Sequence, residues 1–450
     1  MVPIVDDPLL HVARRQGPRR ALVDRSSGFW VSWFDLDGLA HDWARRFRSL
    51  GLSPGQRVAV VEPAGVTFAA LLHGCLKAGA ALVPISPGAP APEVQRILAD
   101  SRPSLLVRAG EVSEQPEPSA GTPGDAAIVY TSGTTGSAKG VRLTLANLVA
   151  SAEGCEESLG SDESDRWLLC LSPHHVGGLS MFLRSALANQ PLITVPRFEE
   201  QAVLGAIAAE HVTLVSLVPT MLIRLLEVGG LETLRGLRAI LLGGAPAPAE
   251  LVARWAADGI PVCPSYGLTE TGSQVAAVPP GRAAELAGSA GFPHSRALVE
   301  IVDGEIVVGG PVLSPGYVDP GIEPGLSGGR FATGDLGRLD AAGALWVLGR
   351  RDDTIITGGE NVQPEEVEAV LRACPGVEDA LVFGRQDPTW GQVVEAVVVG
   401  DAGAAVIEAW CRERLPSFKV PRVVHVSKLL PRNSAGKLLR GSHFPIDELH

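Results

Sequence analysis

The chain of 450 residues contains very little lysine, although it carries 38 basic side chains. Arginine supplies nearly all of these, and the five lysines are Lys77, Lys139, Lys419, Lys428 and Lys437. Lysine brings a compact ammonium to a single oxygen atom, whereas arginine presents a planar fork of donors. The few lysines therefore indicate positions at which a point charge is used.

The chain also lacks an excess of positive charge. Its 50 acidic residues outnumber the 38 basic ones, and its net charge at pH 7 is -12. A protein that binds nucleic acid needs a basic face, because the backbone of its partner is a row of phosphates. We therefore expect no nucleic-acid partner.

Cysteine is sparse and scattered. The six cysteines form no C-x-x-C pair and stand at Cys75, Cys155, Cys170, Cys263, Cys374 and Cys411. This spacing indicates neither a zinc site nor a disulfide framework. We expect six buried or incidental thiols.

A long apolar run without charge is missing as well. The most apolar stretch, residues 66–84, carries His73 and Lys77 near its middle. It therefore predicts a buried helix and strand and not a membrane span. Because Asp6 and Asp7 stand at the N-terminus with no apolar core after a basic start, no signal peptide is indicated. We expect a cytoplasmic protein without membrane insertion.

The order of apolar segments predicts an α/β fold. Strand-like runs alternate with helical patterns, as in RVAVVEP, FAALLHGCLKAGA and ALVPISP, which is typical of helix-flanked, mainly parallel sheets. Between residues 287 and 348 the pattern changes to short strands broken by glycine and proline, which predicts a small β-barrel or meander. The length also predicts more than one domain.

The last hundred residues predict a separate α+β domain. Pro364, followed by Glu365 and Glu366, is typical of the first turn of a helix. We therefore expect a large domain over residues 1–350, a hinge at 351–353 and a small mobile domain over 354–450.

Two segments combine glycine, hydroxyl groups and lysine. They are YTSGTTGSAKG at residues 130–140 and PRNSAGKLLR at residues 431–440. Glycines let backbone N–H groups converge on an anion, and an ammonium stabilises the charge that develops on phosphate. The first segment lacks the spacing of a P-loop. A surface linker and a flexible tail are the alternative interpretations.

Four further segments accompany these two in a fixed order. They are LLGGAPAP at 241–248, PSYGLTETG at 264–272, TGDLG at 333–337 and GRRDDTIITGGENVQPEEVE at 349–368. With these six motifs the whole chain resembles the adenylate-forming superfamily of acyl- and aryl-CoA ligases. The resemblance implies an ATP-dependent acid:thiol ligase that forms an acyl-adenylate and then a CoA thioester.

The resemblance also implies roles for individual residues. It assigns ATP binding to Ser132, Gly133, Thr134, Thr135, Lys139, Gly243, Gly244, Ala245, Tyr266, Thr269, Asp335 and Arg350. It assigns catalysis to Lys437, at the reacting carboxylate and α-phosphate, and to Glu270, which binds Mg²⁺. Asp352 is the implied hinge, and Gly358 and Gly359 leave room for the CoA arm.

Simpler interpretations exist for four of these residues. Asp335 suits a turn, Tyr266 suits a core position, and Arg350 suits a solvated charge at the hinge. Lys139 suits a loop-supporting lysine as well as a phosphate ligand.

The acid substrate is indicated partly by an absence. No Asp or Glu stands between Arg166 and Phe198, a region in which amino-acid-activating relatives keep a carboxylate for the substrate amine. The region instead contains PHHVGGLSMFLRS. Together with SQVAAV, GSAGFP and DPTWGQ further along the chain, it resembles o-succinylbenzoate:CoA ligases of menaquinone biosynthesis.

This narrower resemblance implies a pocket for a small-molecule dicarboxylic acid. Arg184 is the candidate for the distal carboxylate, because an arginine forms strong charge-assisted bonds with it. His175, Ser289 and Gly291 are expected to line the acyl pocket, Thr271 is a weaker candidate, and His174 suits a structural role. An ion pair at the surface or an interface is the alternative for Arg184.

Other functions stay open at this point. A ligase for another aryl or acyl acid fits the same motifs, and so does a nucleotide-binding homologue that has lost catalysis. Joint retention of Lys437, Glu270 and Asp335 argues against the inactive homologue. The sequence leaves a homo-oligomer possible.

Overall fold

The computed structural model describes residues 8–131, 139–160, 162–321 and 326–430, together with Arg432 and Leu438. Its helices are α1 Pro8–Gln16, α2 Trp33–Ser49, α3 Val66–Ala78, α4 Ala91–Ser101, α5 Leu145–Leu159, α6 Val176–Ala188, α7 Glu200–Ala209, α8 Pro219–Glu227, α9 Leu231–Arg235, α10 Ala249–Ala257, α11 Pro364–Arg372 and α12 Ala404–Arg412. Short 3₁₀ turns cover Thr269–Thr271 and Ser417–Lys419.

The strands are β1 Arg20–Asp24, β2 Trp30–Ser32, β3 Arg57–Val61, β4 Ala81–Pro84, β5 Leu105–Arg108, β6 Glu111–Glu114, β7 Asp125–Thr131, β8 Lys139–Thr144, β9 Trp167–Leu169, β10 Leu192–Thr194, β11 Leu214–Leu217, β12 Ala239–Leu242, β13 Val262–Leu268, β14 Ser273–Ala277, β15 Phe292–Pro293, β16 Leu298–Val302, β17 Glu305–Gly309, β18 Gly316–Tyr317, β19 Leu326–Ser327, β20 Arg330–Leu339, β21 Leu345–Arg350, β22 Ile355–Thr357, β23 Glu360–Val362, β24 Val377–Asp387, β25 Gly391–Gly400 and β26 Val423–Val426.

The chain divides into two compact units. The first consists of Met1–Val299 and Val308–Phe331, and the second of Glu300–Val307 and Ala332–His450. The hinge expected at residues 351–353 stays a prediction.

The first unit contains two mixed sheets. One has the strand order β15-β14-β13-β12-β11-β9-β10-β1-β2, and its pairs from β1 to β13 through β10, β9, β11 and β12 are parallel. The other has the order β18-β8-β7-β4-β3-β5-β6, with parallel pairs among β7, β4, β3 and β5. Strands β3 and β4 are buried along their whole length, as expected for parallel strands covered on both faces.

The main apolar core joins these two sheets through helices. Helix α3 is buried nearly all round, which explains why its sequence is so apolar. Gly74 lets α2 and α3 approach closely, since a Cβ there would lie 2.7 Å from Trp43 Cβ. Residues 66–84 thus form a buried helix and strand, as predicted. No helix in the described residues has the length and hydropathy needed to cross a membrane.

The second unit holds most of a small sheet and a C-terminal α+β layer. The small sheet has the order β16-β17-β20-β19, with β21 antiparallel to β20. The last sheet has the order β23-β22-β25-β24, with β26 parallel to β25. Helix α11 begins at Pro364 with Glu365 and Glu366 in its first turn, so the predicted helix start is confirmed. Closure of the small sheet into a barrel stays a prediction.

All six cysteines are free and buried, as expected.

Candidate functional site

Several predicted residues of the first unit follow strands of the nine-stranded sheet. Gly243, Gly244 and Ala245 follow β12, Tyr266 lies in the neighbouring β13, and His175 lies in the loop after β9. The carboxyl ends of parallel strands meet at one edge of a sheet, which is where ligands bind in open α/β sheets. The fold therefore brings these residues to one edge.

The two positions after β12 favour glycine for different structural reasons. A Cβ on Gly243 would lie 2.8 Å from Ser265 Oγ, so glycine lets β12 and β13 remain close at their ends. Gly244 is exposed and has φ +78, a backbone conformation that favours glycine. Ala245 and Tyr266 are half-buried, so Tyr266 is not a fully enclosed core residue.

The segment around Glu270 is a tight turn. Thr269 and Glu270 are half-buried, whereas Thr271 is fully buried. The Thr271 hydroxyl donates to the Leu268 and Ser273 carbonyls at 3.0 and 2.8 Å, so the turn itself uses it. Thr271 is therefore explained by local structure, and the pocket-lining role considered for it has no support from these contacts.

Glu270 is held by a tyrosine from a distant part of the chain. The Tyr317 hydroxyl donates to Glu270 Oε1 at 2.8 Å. Burial raises the pKa of Tyr317, and the neighbouring Glu270 carboxylate raises it further. On the ring face of Tyr317, Lys139 Nζ lies 5.8 Å from the ring centroid. Lys139 thus begins β8 in a cation–π contact.

The surroundings of Glu270 suit a magnesium ion shared with a ligand. Among the described residues, the side-chain partner of Glu270 is Tyr317 and not a lysine or arginine, and no cluster of three or more His, Cys, Asp and Glu side chains could hold a metal by itself. Mg²⁺ is commonly bound through one or two carboxylates, phosphate oxygens and water. A single carboxylate that has no basic partner among the described residues fits that mode of binding.

Arg184 is a buried charge without an acidic partner in the described part of the chain. It is 2% exposed, and Nη2 lies 3.3 Å from Gln274 Oε1. Its guanidinium carbon lies 5.3 Å from the centre of the Trp167 ring. Arg184 Nε and Gln274 Nε2 are buried donors without a hydrogen-bond partner among the described residues. A surface ion pair, the alternative interpretation of Arg184, is therefore wrong.

His175 and Arg184 lie at different depths along α6. His175 is the N-cap and Arg184 stands nine residues further, which is about 13 Å along the axis at the helical rise. The backbone positions of these two residues are therefore separated by more than two helical turns.

The two adjacent histidines are in different environments. His174 is half-buried, with Ser172 Oγ 2.7 Å from its Nε2, whereas His175 is exposed. Burial lowers the pKa of His174 to about 4, and His175 lowers it as well. Desolvation by the surrounding protein atoms also lowers the pKa of His175, although part of its surface is exposed to solvent. The Glu93 carboxylate opposes that shift.

Ser289 and Gly291 pack tightly against the sheet. The Gly291 N–H donates to the buried Ser289 hydroxyl at 2.8 Å. A Cβ on Gly291 would lie 2.0 Å from the Ala277 backbone, and its φ is +77. Packing therefore accounts for this glycine, and a role of either residue in an acyl pocket stays a prediction.

In the second unit, Asp335 and Arg350 face each other on β20 and β21. Arg350 Nη1 lies 3.0 Å from Asp335 Oδ1, and Thr333 Oγ1 accepts from the Asp335 N–H at 3.0 Å. The neighbouring carboxylates raise the pKa of Arg350 against the opposing effect of burial. Asp335 is therefore a strand residue and not a turn residue, and Arg350 is not a freely solvated charge.

The hinge and CoA candidates also lie in the second unit. Asp352 is exposed in a turn after β21. Gly358 and Gly359 form the two-residue turn between β22 and β23, with φ +59 and +87, so both need glycine-like freedom. A Cβ on Gly358 would lie 2.7 Å from the Trp390 ring, whereas the space beside Gly359 is open. The Trp390 ring therefore packs where a side chain at Gly358 would lie, and the CoA role of both glycines stays a prediction.

The remaining candidates, Ser132, Gly133, Thr134, Thr135 and Lys437, lie outside the described residues. Their roles stay predictions.

Comparison with known proteins decides the family. A family model described as AMP-binding enzyme matches residues 9–122 and 108–318, and the model of the AMP-binding enzyme C-terminal domain matches residues 366–437. The chain belongs to the AMP-binding enzyme family.

Several similar proteins are named as ligases or synthetases of succinylbenzoate and coenzyme A. A 2-succinylbenzoate--CoA ligase of Bacillus cereus is 37% identical over 91% of this chain and 92% of its own length. The o-succinylbenzoate coenzyme A synthetase (MenE) of Bacillus subtilis in complex with ATP and magnesium ion has a TM-score of 0.86 at 34% identity, covering 98% of this chain and 99% of that one. The same synthetase in complex with the acyl-adenylate intermediate OSB-AMP also gives 0.86 at 34% identity, over 96% and 97%.

Three residues of this AMP-binding enzyme carry contacts that the sequence did not assign. Tyr317 holds Glu270, Gln274 contacts Arg184, and Trp390 covers Gly358. The sequence offered one indication for Tyr317, because tyrosine is rare in this chain and occurs only three times. Gln274 and Trp390 stand in the motifs SQVAAV and DPTWGQ, but the residue types alone indicate no contact.

Proposed function

We propose that this protein is an ATP-dependent carboxylic acid:CoA ligase, and that it converts o-succinylbenzoate to o-succinylbenzoyl-CoA through an acyl-adenylate. Membership of the AMP-binding enzyme family and the names of its relatives support the reaction class. The buried Arg184, which lacks an acidic partner among the described residues, carries the choice of a dicarboxylic acid.

The first step joins two anions, a carboxylate and the α-phosphate of ATP, and releases pyrophosphate. Such a step requires positioning and cationic stabilisation and no nucleophilic side chain. We assign stabilisation of the reacting carboxylate and α-phosphate to Lys437. We assign binding of the other phosphates to Ser132, Gly133, Thr134, Thr135 and Lys139. Glu270 would hold Mg²⁺, and the ion would supply positive charge to the phosphates when bound.

We assign the nucleoside part of ATP to two groups of residues, and each group is described within its own unit. Tyr266 is half-buried and presents an aromatic face for the adenine, and the backbone of Gly243, Gly244 and Ala245 allows close approach. Thr269 lies at the start of the adjoining turn. Asp335 accepts from the ribose hydroxyls, with Arg350 beside it in an ion pair.

The acid pocket is assigned to the side of α6. A guanidinium that is 2% exposed costs several kcal/mol unless an anion pairs with it, and the described residues supply no such anion. A substrate carboxylate would fill that place and accept from the unpaired donors Arg184 Nε and Gln274 Nε2. The reacting carboxylate then lies toward His175, at the N-terminus of α6.

The second step transfers the acyl group from AMP to the thiol of CoA. We assign the change of pose to rotation about Asp352, which is exposed and lies in a turn. We assign the approach of the CoA arm to the Gly358–Gly359 turn, with the open side at Gly359.

The experiment that tests this function separates the two steps. Without CoA, exchange of label between pyrophosphate and ATP should depend on Mg²⁺ and on o-succinylbenzoate, and CoA should then release AMP and thioester in equal amounts. Exchange with benzoate or octanoate only would make the protein a ligase for another acid. If no acid supports exchange, the protein would be a nucleotide-binding homologue that has lost catalysis.

A further inference from the structure

Residues 314–317 hold Glu270 at two points. The Ser314 N–H donates to the Glu270 backbone oxygen at 2.8 Å. The Tyr317 hydroxyl donates to the Glu270 carboxylate at 2.8 Å. Because both bonds come from residues three positions apart, the backbone and the side chain of Glu270 are fixed by one short segment. We call residues 314–317 the clamp segment.

The clamp segment is itself attached to β8. Ser314 Oγ donates to the Arg142 carbonyl at 2.6 Å, and Gly316 and Tyr317 pair with Arg142 and Val141. Directly after the segment, the Val318 N–H donates to the Gly140 carbonyl at 2.8 Å. The position of Tyr317 therefore depends on the strand that begins at Lys139.

Lys139 and Glu270 contact different parts of the Tyr317 side chain. The Lys139 ammonium lies 5.8 Å from the centre of the Tyr317 ring, while the Tyr317 hydroxyl bonds to the carboxylate. Within the described residues, Lys139 and Glu270 each contact Tyr317 and form no salt bridge with each other. The tyrosine thus contacts the cation and the anion while they remain unpaired with each other.

We infer that Tyr317 is a positioning residue that orients the Glu270 carboxylate toward a magnesium ion. The inference rests on the proposed function. A glutamate side chain has several freely rotating bonds, so a hydrogen bond to one oxygen fixes the direction of the other. Groups that orient a metal ligand in this way change metal affinity strongly when removed.

Tyr317→Phe tests the inference because it keeps the ring and removes only the hydroxyl. We expect the Mg²⁺ concentration for half-maximal pyrophosphate exchange to rise about tenfold, as is typical for loss of a group that orients a ligand. The KM for the acid should stay unchanged. The second readout is Mn²⁺ binding in the presence of ATP without acid, followed by electron paramagnetic resonance, which should weaken by the same factor.

Thr213→Val is the matched control, because it also removes one hydroxyl that bonds to a carboxylate. The Thr213 hydroxyl donates to Asp165 Oδ1 at 2.7 Å, and Thr213 lies before the first residue of β11, at the end of the strand opposite to the candidate site. This variant should leave the midpoint for Mg²⁺ and the affinity for Mn²⁺ unchanged, even if its thermal stability falls. A loss of Mn²⁺ affinity equal to that in Tyr317→Phe would overturn the inference, because both variants would then act through general loosening.

A double variant locates the effect. If Tyr317 acts through Glu270, Tyr317→Phe adds nothing to the loss of Mn²⁺ affinity caused by Glu270→Gln. The inference would be overturned if Tyr317→Phe lowered Mn²⁺ affinity by the same factor in the wild-type protein and in the Glu270→Gln variant. It would also be overturned if Tyr317→Phe left the Mn²⁺ affinity unchanged. Because the Mn²⁺ measurement contains no acid, these results do not depend on which acid is activated. Failure of the wild-type protein to activate any acid would count against the proposed function alone.

Discussion

Arg350 Nη1 lies 3.0 Å from Asp335 Oδ1, and the two residues face each other on neighbouring strands. The pair is shielded, since the side chain of Asp335 is 11% exposed and that of Arg350 is 25% exposed. The carboxylate proposed to bind ribose is therefore already oriented by an arginine. Removing the charge of Asp335 should affect both stability and nucleotide binding.

Asp335→Asn should destabilise the protein by about 1 to 3 kcal/mol, because a partly buried charge-assisted bond is lost. It should also reduce the preference for ATP over 2′-deoxy-ATP in the ratio of kcat/KM, if Asp335 accepts from the ribose hydroxyls. Steady-state kinetics with both nucleotides checks this. An unchanged preference in the variant would assign Asp335 a structural role only.

Arg184→Met should raise the KM for o-succinylbenzoate about tenfold to a hundredfold, corresponding to about 1.5 to 3 kcal/mol for a bond between charged groups. The KM for ATP should change little. The melting temperature without ligand should hold or rise, because the variant removes a buried charge that has no acidic partner in the described chain.

Arg238→Met is the control for Arg184. Arg238 is paired with the buried Asp165 at 2.6 Å, so its removal should lower the melting temperature and leave the KM for the acid unchanged. If Arg184→Met behaves in the same way as Arg238→Met, Arg184 is a structural residue and not an acid ligand.

Lys437→Ala should slow formation of the acyl-adenylate at least about a hundredfold, the scale for removing one group that stabilises developing charge. Chemically prepared acyl-adenylate should still react with CoA at nearly the wild-type rate. Rapid-quench assays of the two half-reactions measure these rates separately. An equal loss in both would show that Lys437 does not act at the first step.

His174 should make stability depend on pH between about 4 and 6.5. Its pKa is lowered to about 4 in the folded protein from an ordinary value of 6.5, so the unfolded state binds more protons in that interval. Stability therefore falls as pH decreases through it, by at most about 1.4 kcal/mol per pH unit for one group. Denaturant unfolding at pH 7.5 and pH 5 measures the fall.

His174→Gln removes the titrating group. The free energy of unfolding of this variant minus that of the wild type should be larger, meaning a relatively more stable variant, at pH 5 than at pH 7.5. The same difference at both pH values would contradict the lowered pKa of His174.

Local sequence patterns predicted the elements that depend on neighbouring residues. The apolar stretch at residues 66–84 forms α3 and β4, and Pro364 begins α11, because burial and helix starts are encoded within a few positions. The mixed sheets in the AMP-binding enzyme fold follow from the same alternation of segments.

The contacts that the sequence did not indicate join distant segments. Tyr317 and Glu270 are 47 positions apart, and Arg184 and Gln274 are 90 apart, so no local pattern relates them. The Trp390 ring packs against Gly358 from 32 positions away, and the CoA role expected of this glycine stays a prediction. The cytoplasmic location and the homo-oligomer stay predictions from the sequence.

The buried Arg184 is proposed to select a dicarboxylic acid for adenylation. The most direct test compares kcat/KM for o-succinylbenzoate and for 4-oxo-4-phenylbutanoate, which keeps the ring and the keto-acid chain and lacks the second carboxylate. We predict that the wild-type protein prefers o-succinylbenzoate by at least about tenfold, the equivalent of about 1.4 kcal/mol, and that Arg184→Met loses most of this preference. Equal use of the two acids by the wild-type protein would contradict the account.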